Sequence, residues 1–168
     1  MLLFLLLAQE IIAHRGASHD APENSLEAFR LGWEQADANE LDVHLSRDGR
    51  PVVIHDSSTK RTTGVDKRVV EQSFEELKAQ GVPALEEILD VPEKKRLFIE
   101  IKCGPEALEP LGRLLAGRSP ERFVIIGFNL GTMAQAKKLF PKVPVYWLSG
   151  YKEEIKIEDL ISKAKAAG

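Results

Sequence analysis

Five short apolar runs alternate along this chain with stretches whose apolar residues recur every three or four positions, and this alternation constrains the fold more than any other feature. The runs are Glu10-Ile11-Ile12-Ala13, Glu40 to Leu45, Leu97 to Ile101, Phe123 to Ile126 and Val143 to Leu148. Short runs of this kind read as buried strands, whereas spacing of three and four reads as one face of a helix. The first helix carries Leu26, Phe29, Trp33 and Ala36, with Asn24 and Glu27 spaced as a cap. A sixth run, Pro51-Val52-Val53-Ile54, follows the tight-turn pair Asp48-Gly49 and so predicts a strand pair with 40–45. Ser73 and Glu76 form a capping box, and Pro83 opens a helix with Leu85, Ile88 and Leu89 on one side. Later helices are expected from Leu108 or Glu109 to Gly117, after a Thr132/Gln135 cap, and over Ile157, Leu160, Ile161 and Ala164.

Strands separated by helices in this order argue for a parallel α/β sheet or barrel, whose functional residues gather at the carboxyl ends of the strands. A complete eightfold barrel takes about 250 residues, and only about five strand-helix units precede Gly168. The fold class is therefore α/β, a TIM-type (β/α) barrel incomplete at its carboxyl end. No linker or repeat divides residues 10–168, which are read as one domain.

With 43% hydrophobic and 29% charged residues the chain can bury a core. Its 23 Lys and Arg against 26 Asp and Glu leave a net charge of −3, and its basic pairs are scattered, so it presents no field for nucleic acid. Cys103 is the only cysteine, which excludes an intrachain disulfide and leaves the redox compartment undecided. Residues 1–9 are an apolar leader, shorter than the roughly 20 residues of a transmembrane helix. Read as the remnant of a signal sequence cleaved at Ala8, the leader places the protein in the periplasm or outside the cell. Read as a cover for the first strand, it places the protein in the cytoplasm.

The chemistry-bearing residues stand at the strand ends. Glu40 and Asp42, two apart on a strand, leave the same face, and Glu100 ends a later strand beside Lys102. Like charges at about 4 Å repel by about 4 kcal/mol at an effective dielectric near 20, so three such carboxylates need protons or a cation. All-oxygen ligation favours Mg²⁺, Ca²⁺ or Mn²⁺. His14 and His55 each follow a strand run, and an imidazole with a pKa near 6.5 can move a proton in either direction at neutral pH. Arg15 can grip a phosphate through paired hydrogen bonds, and Lys102 can neutralise a second oxygen or simply pair with Glu100. His19 and His44 fit structural roles better than catalytic ones, and Trp33 and Trp147 fit packing.

Taken together, His14-Arg15-Gly16-Ala17, Pro22-Glu23-Asn24-Ser25, Glu40-Leu41-Asp42-Val43, Asp48-Gly49, His55-Asp56, Arg61-Thr62-Thr63 and Glu100-Ile101-Lys102 resemble the glycerophosphodiester phosphodiesterase family in order and spacing. Phe128-Asn129 and Val143-Pro144-Val145 look like later landmarks of the same family. The resemblance implies a TIM-type barrel that hydrolyses glycerophosphodiesters to sn-glycerol 3-phosphate and an alcohol. It assigns one divalent cation to Glu40, Asp42 and Glu100, acid/base work to His14 and His55, and phosphate binding to Arg15 and Lys102. It also implies further strands after Gly168, a stretch between Thr63 and Pro83 shorter than the family's inserted subdomain, and a serine where Gly127 stands. Two other readings follow: a truncated, non-catalytic phosphodiester-binding remnant, and a phospholipase-like lyase that releases a cyclic phosphate.

Overall fold

The computed structural model describes residues 9–150 and 156–167. Its strands are β1 (Ile12–His14), β2 (Ala38–Leu45), β3 (Pro51–Val53), β4 (Arg96–Ile101), β5 (Phe123–Gly127) and β6 (Val145–Trp147). They form one sheet in the order β1-β2-β4-β5-β6, every neighbouring pair parallel, with β3 antiparallel to β2 through the turn at Gly49. Each parallel strand thus lies beside the one before it, and helices make the crossovers, as in the wall of a (β/α) barrel. The apolar leader lies mostly outside the described residues. No helix among the described residues is long and apolar enough to cross a membrane.

The helices are α1 (Leu26–Gln35), α2 (Lys60–Thr63), α3 (Phe74–Lys78), α4 (Leu108–Leu115), α5 (Leu130–Leu139) and α6 (Ile157–Ala167). Alternate strand residues Leu41, Val43, Leu97, Ile99, Ile101, Phe123 and Ile125 bury one face of the sheet against Phe29, Leu108, Leu111, Met133 and Ala136 of the helices. The other face carries a small apolar floor of Ala38, Phe98 and Val124. Above that floor, towards the strand carboxyl ends, the same alternation places Glu40, Asp42 and Glu100. A satellite core of Val52, Ile54, Val69, Phe74, Leu77, Val82 and Ala84 supports the loop that follows β3.

Three local expectations are corrected. Ser25, not Asn24, caps α1, its hydroxyl accepting from Ala28 N at 3.1 Å, because Asn24 is committed elsewhere. Asn129, not Thr132, caps α5, and its side chain accepts from Thr132 N at 2.9 Å. The helix expected after Pro83 is a single 3-10 turn, Leu85–Glu87. There Pro83 O accepts from Val53 N at 2.9 Å and Ala84 bridges Val52, so the backbone is spent on β3. The Ser73/Glu76 capping box and the left-handed Gly117 after α4 stand as expected.

The turn after β1 decides where the site forms. Arg15 at φ 59° and Gly16 at φ 74° both occupy the left-handed region, which reverses the chain and lays it on α1. A Cβ on Gly16 would lie 2.5 Å from the carbonyl carbon of Ala28. Gly16→Ala is therefore expected to destabilise the chain by about 2 kcal/mol or more, measured by urea unfolding. An unchanged midpoint would show that the turn relaxes freely.

Candidate active site

β1, β2 and β4 meet in register, His14 beside Glu40 and Asp42 beside Glu100, so the sheet itself assembles the site at its carboxyl end. Glu40, Asp42 and Glu100 are 5%, 0% and 7% exposed, and one oxygen from each lies within 4.8 Å of the others. Burial, and next the neighbouring Asp42 carboxylate, push the Glu40 carboxyl up from 4.5 to about 7. Glu40 Oε1 and Asp42 Oδ1 are buried and accept no hydrogen bond. Buried carboxylate oxygens without donors are costly, and three hard oxygen ligands aimed at one point fit a divalent cation. The acidic cluster can therefore hold a metal ion.

Two cations flank the cluster. Lys102 Nζ lies 3.0 Å from Glu100 Oε1 and 3.7 Å from Asp42 Oδ1, so the expected Glu100 pairing is present and extends to Asp42. Arg15 Nε lies 3.3 Å from Asp42 Oδ2, while its backbone N–H donates to Glu40 Oε2 at 3.0 Å. The left-handed conformation of Arg15 lets one residue serve both carboxylates, its main chain turned to one and its side chain to the other. When all three carboxylates are ionised they outnumber the two flanking cations, which favours a further cation.

His14 Nε2 lies 3.9 Å from Glu40 Oε2, and its side chain is 67% exposed at the open mouth. His55 follows β3, and its Nδ1 is 2.6 Å from Asp56 Oδ1. Hydrogen bonds from Arg61 and then from His55 hold the Asp56 carboxyl down to about 2. An ionised carboxylate can only accept, so the Nδ1 carries the proton and the Nε2 of neutral His55 keeps a lone pair. His44 is 6% exposed, and its Nε2 donates to His55 O at 3.1 Å, a structural role that ties β2 to the end of β3. Burial, above all, lowers its basicity. His19 lies exposed on the loop before α1 with Asp20 at 3.2 Å, apart from this cluster. Cys103 is a thiol that burial pushes up to about 11, which suits packing.

Residues 14–168 match the model of the glycerophosphoryl diester phosphodiesterase family. The chain belongs to that family. It is 34% identical over 156 residues to a glycerophosphodiester phosphodiesterase of Caldanaerobacter subterraneus, covering 80% of this chain and 64% of that protein. The fold matches the crystal structure of the glycerophosphodiester phosphodiesterase from Thermotoga maritima with a TM-score of 0.82 at 30% identity, over 95% of this chain and 70% of that one. It also matches an Oleispira antarctica phosphodiesterase solved in complex with the product sn-glycerol-3-phosphate, with a TM-score of 0.76 at 24% identity, over 95% and 81% of the two chains. The chain spans about 64% of the length of the first curated relatives it matches.

As a glycerophosphoryl diester phosphodiesterase family member, the chain carries site residues to which sequence patterns alone assigned no part. Asn24, at φ 57°, donates from Nδ2 to Asp42 Oδ2 at 2.9 Å, and its backbone N–H donates to Arg15 O at 3.0 Å. It therefore fixes Asp42 and the Arg15 turn together. Glu23 accepts from Arg15 Nη1 at 3.1 Å, and Arg61 binds both Glu23 and Asp56. The family-like segments Pro22-Glu23-Asn24-Ser25 and Arg61-Thr62-Thr63 were the available signal, but partners some 40 positions apart cannot be paired by spacing. At Gly127, Met133 Cε lies 2.9 Å from where a Cβ would stand, so the methionine takes up that space.

Proposed function

We propose that this chain hydrolyses glycerophosphodiesters to sn-glycerol 3-phosphate and an alcohol. The observation that carries the reading is the buried trio Glu40, Asp42 and Glu100, with unpartnered oxygens on Glu40 and Asp42, bracketed by Arg15 and Lys102. The trio would hold one divalent ion, Mg²⁺ or Ca²⁺, with Mn²⁺ a further candidate by the same oxygen chemistry. When bound, such an ion supplies charge neutralisation at a phosphoryl oxygen. Arg15 and Lys102 bind the remaining phosphoryl oxygens and offset the charge that grows on them.

The neighbouring glycerol hydroxyl attacks phosphorus while His55 Nε2 takes its proton. The phosphorus–oxygen bond to the alcohol breaks, and protonated His14 delivers its proton to the departing alkoxide. The resulting cyclic phosphate is opened by water in the reverse sense: His14 takes the water proton and His55 returns its own to the ring oxygen. Both imidazoles end as they began. The Asp56 contact supports this assignment of base, since it leaves the His55 Nε2 unprotonated and stabilises the imidazolium that forms.

Phosphorus NMR of glycerophosphocholine incubated with the chain and Mg²⁺ or Ca²⁺ tests the reading. Glycerol 3-phosphate is expected to accumulate with no lasting cyclic ester, and chelation is expected to slow turnover by about 10²-fold or more. Turnover unaffected by chelation would overturn the proposal. A cyclic ester that persists would instead identify a lyase, and binding without turnover a phosphodiester-binding module.

A further inference from the structure

Arg61 lies on the four-residue α2, outside the metal and phosphate cluster, yet its guanidinium uses all three nitrogens on carboxylates from two different loops. Nε donates to Asp56 Oδ2 at 2.6 Å. Nη1 and Nη2 donate to Glu23 Oε2 and Oε1, each at 2.7 Å. Each carboxylate then passes its other contact to a site residue: Asp56 Oδ1 meets His55 Nδ1 at 2.6 Å, and Glu23 Oε1 meets Arg15 Nη1 at 3.1 Å. Two branches therefore run from one guanidinium, one to an imidazole and one to a phosphate-binding arginine.

We propose that Arg61 is a positioning residue that orients His55 through Asp56 and Arg15 through Glu23, so that proton transfer and phosphate grip are set by one side chain. This rests on the reading of the site as a phosphodiesterase centre. Several observations favour it over an ordinary surface ion pair. Arg61 is 47% exposed, and solvent screens ion pairs at such positions, so exposure limits what its contacts add to stability. The carboxylates it holds, in contrast, are 21% and 32% exposed and lie directly behind Arg15 and His55. A displacement of about 1 Å in a reacting group can cost about 10²-fold in rate. The planar fork is also what the geometry demands, because a lysine presents its donors from a single nitrogen and cannot hold Glu23 through two nitrogens while a third reaches Asp56. Asp56 and Glu23 each need their second oxygen or second lone pair for Arg61, so the two branches are coupled through it.

The test compares the 168-residue chain with R61A, R61K, D56N and E23Q in glycerophosphocholine hydrolysis with Mg²⁺ or Ca²⁺, alongside thermal melts and nitrogen-15 NMR of labelled histidines above the imidazole titration range. R61A and R61K are expected to melt close to wild type, to lose about 10²-fold in kcat and to raise KM by about 10-fold. D56N is expected to lower mainly kcat, and E23Q to raise mainly KM. The NMR pattern of His55 in wild type should show protonated Nδ1 and unprotonated Nε2. In R61A and D56N it should move towards a mixture of tautomers, whereas in E23Q it should stay unchanged. Wild-type kcat and KM in R61A would overturn the proposal, as would an unaltered His55 pattern in R61A. If the wild-type chain hydrolyses nothing, the phosphodiesterase reading falls, while the NMR comparison still decides whether Arg61 orients His55.

Discussion

Replacing His55 by alanine is expected to reduce glycerophosphocholine turnover by about 10²- to 10⁴-fold, with His14→Ala falling in the same range, because each removes one of the two proton-transfer groups proposed above. The two variants should differ in a way that the geometry dictates. His14 is two-thirds exposed and approaches Glu40 only to 3.9 Å, so truncation there leaves the surroundings in place. His55 lies against Asp56, and its loss leaves that ionised carboxylate with Arg61 alone. Substrate binding should survive both changes, since Arg15 and Lys102 are untouched. Equilibrium dialysis of sn-glycerol 3-phosphate against kinetics separates binding from turnover. If either variant hydrolysed as fast as the wild-type chain, the acid/base assignment would be wrong. A double variant no slower than the singles would show that the two imidazoles act in one sequence, as non-additive catalytic groups do.

The second large effect lies in Glu40. Its carboxyl sits at about 7 in the fold against 4.5 as an ordinary glutamate. Below about 4.5 the side chain is protonated in both folded and unfolded chains, and the fold carries no penalty from it. As the pH rises from there towards 7, the unfolded chain releases a proton that the folded chain retains, so stability falls. Above about 7 the loss is complete, on the order of 3 kcal/mol at about 1.36 kcal/mol per unit. In chelator, the metal-free chain is thus expected to become less stable to urea between about pH 5 and pH 8. Glu40→Gln should flatten that slope and exceed the wild-type chain in stability at the alkaline end, because its amide still accepts from Arg15 N.

Adding Mg²⁺ or Ca²⁺ should reverse the ranking. A ligand at about 100 times its dissociation constant adds about 2.7 kcal/mol to the fold it binds, and Glu40→Gln should gain far less. The same variant should lose turnover in step with its loss of ion binding. A wild-type stability that is flat with pH in chelator would show that the fold does not raise the Glu40 carboxyl, and equal stabilisation of both chains by the ion would show that Glu40 is not a ligand.

The sequence alone was enough to place the strands and most helices, since a parallel sheet covered by helices must carry continuous apolar strands and spaced apolar helices, as Phe123 to Ile126 and α1 do. It also pointed to Glu40 and Asp42 on one face, because a strand repeats every two residues, and to His14, His55 and Glu100 at strand ends. Caps were less legible. Asn24 and Thr132 each had a plausible partner three residues on, but which polar residue caps depends on what else claims its side chain, and Asp42 claims Asn24. Tertiary structure alone decided that Glu100 meets Glu40 and Asp42, since that contact needs β4 to lie beside β2 in one register. It alone decided, too, that Glu23, Asp56 and Arg61 form a brace behind Arg15 and His55. Local patterns arise from forces between residues a few positions apart, whereas a charge network joining positions 15, 23, 42, 56 and 61 exists only once the loops after β1 and β3 have been brought side by side.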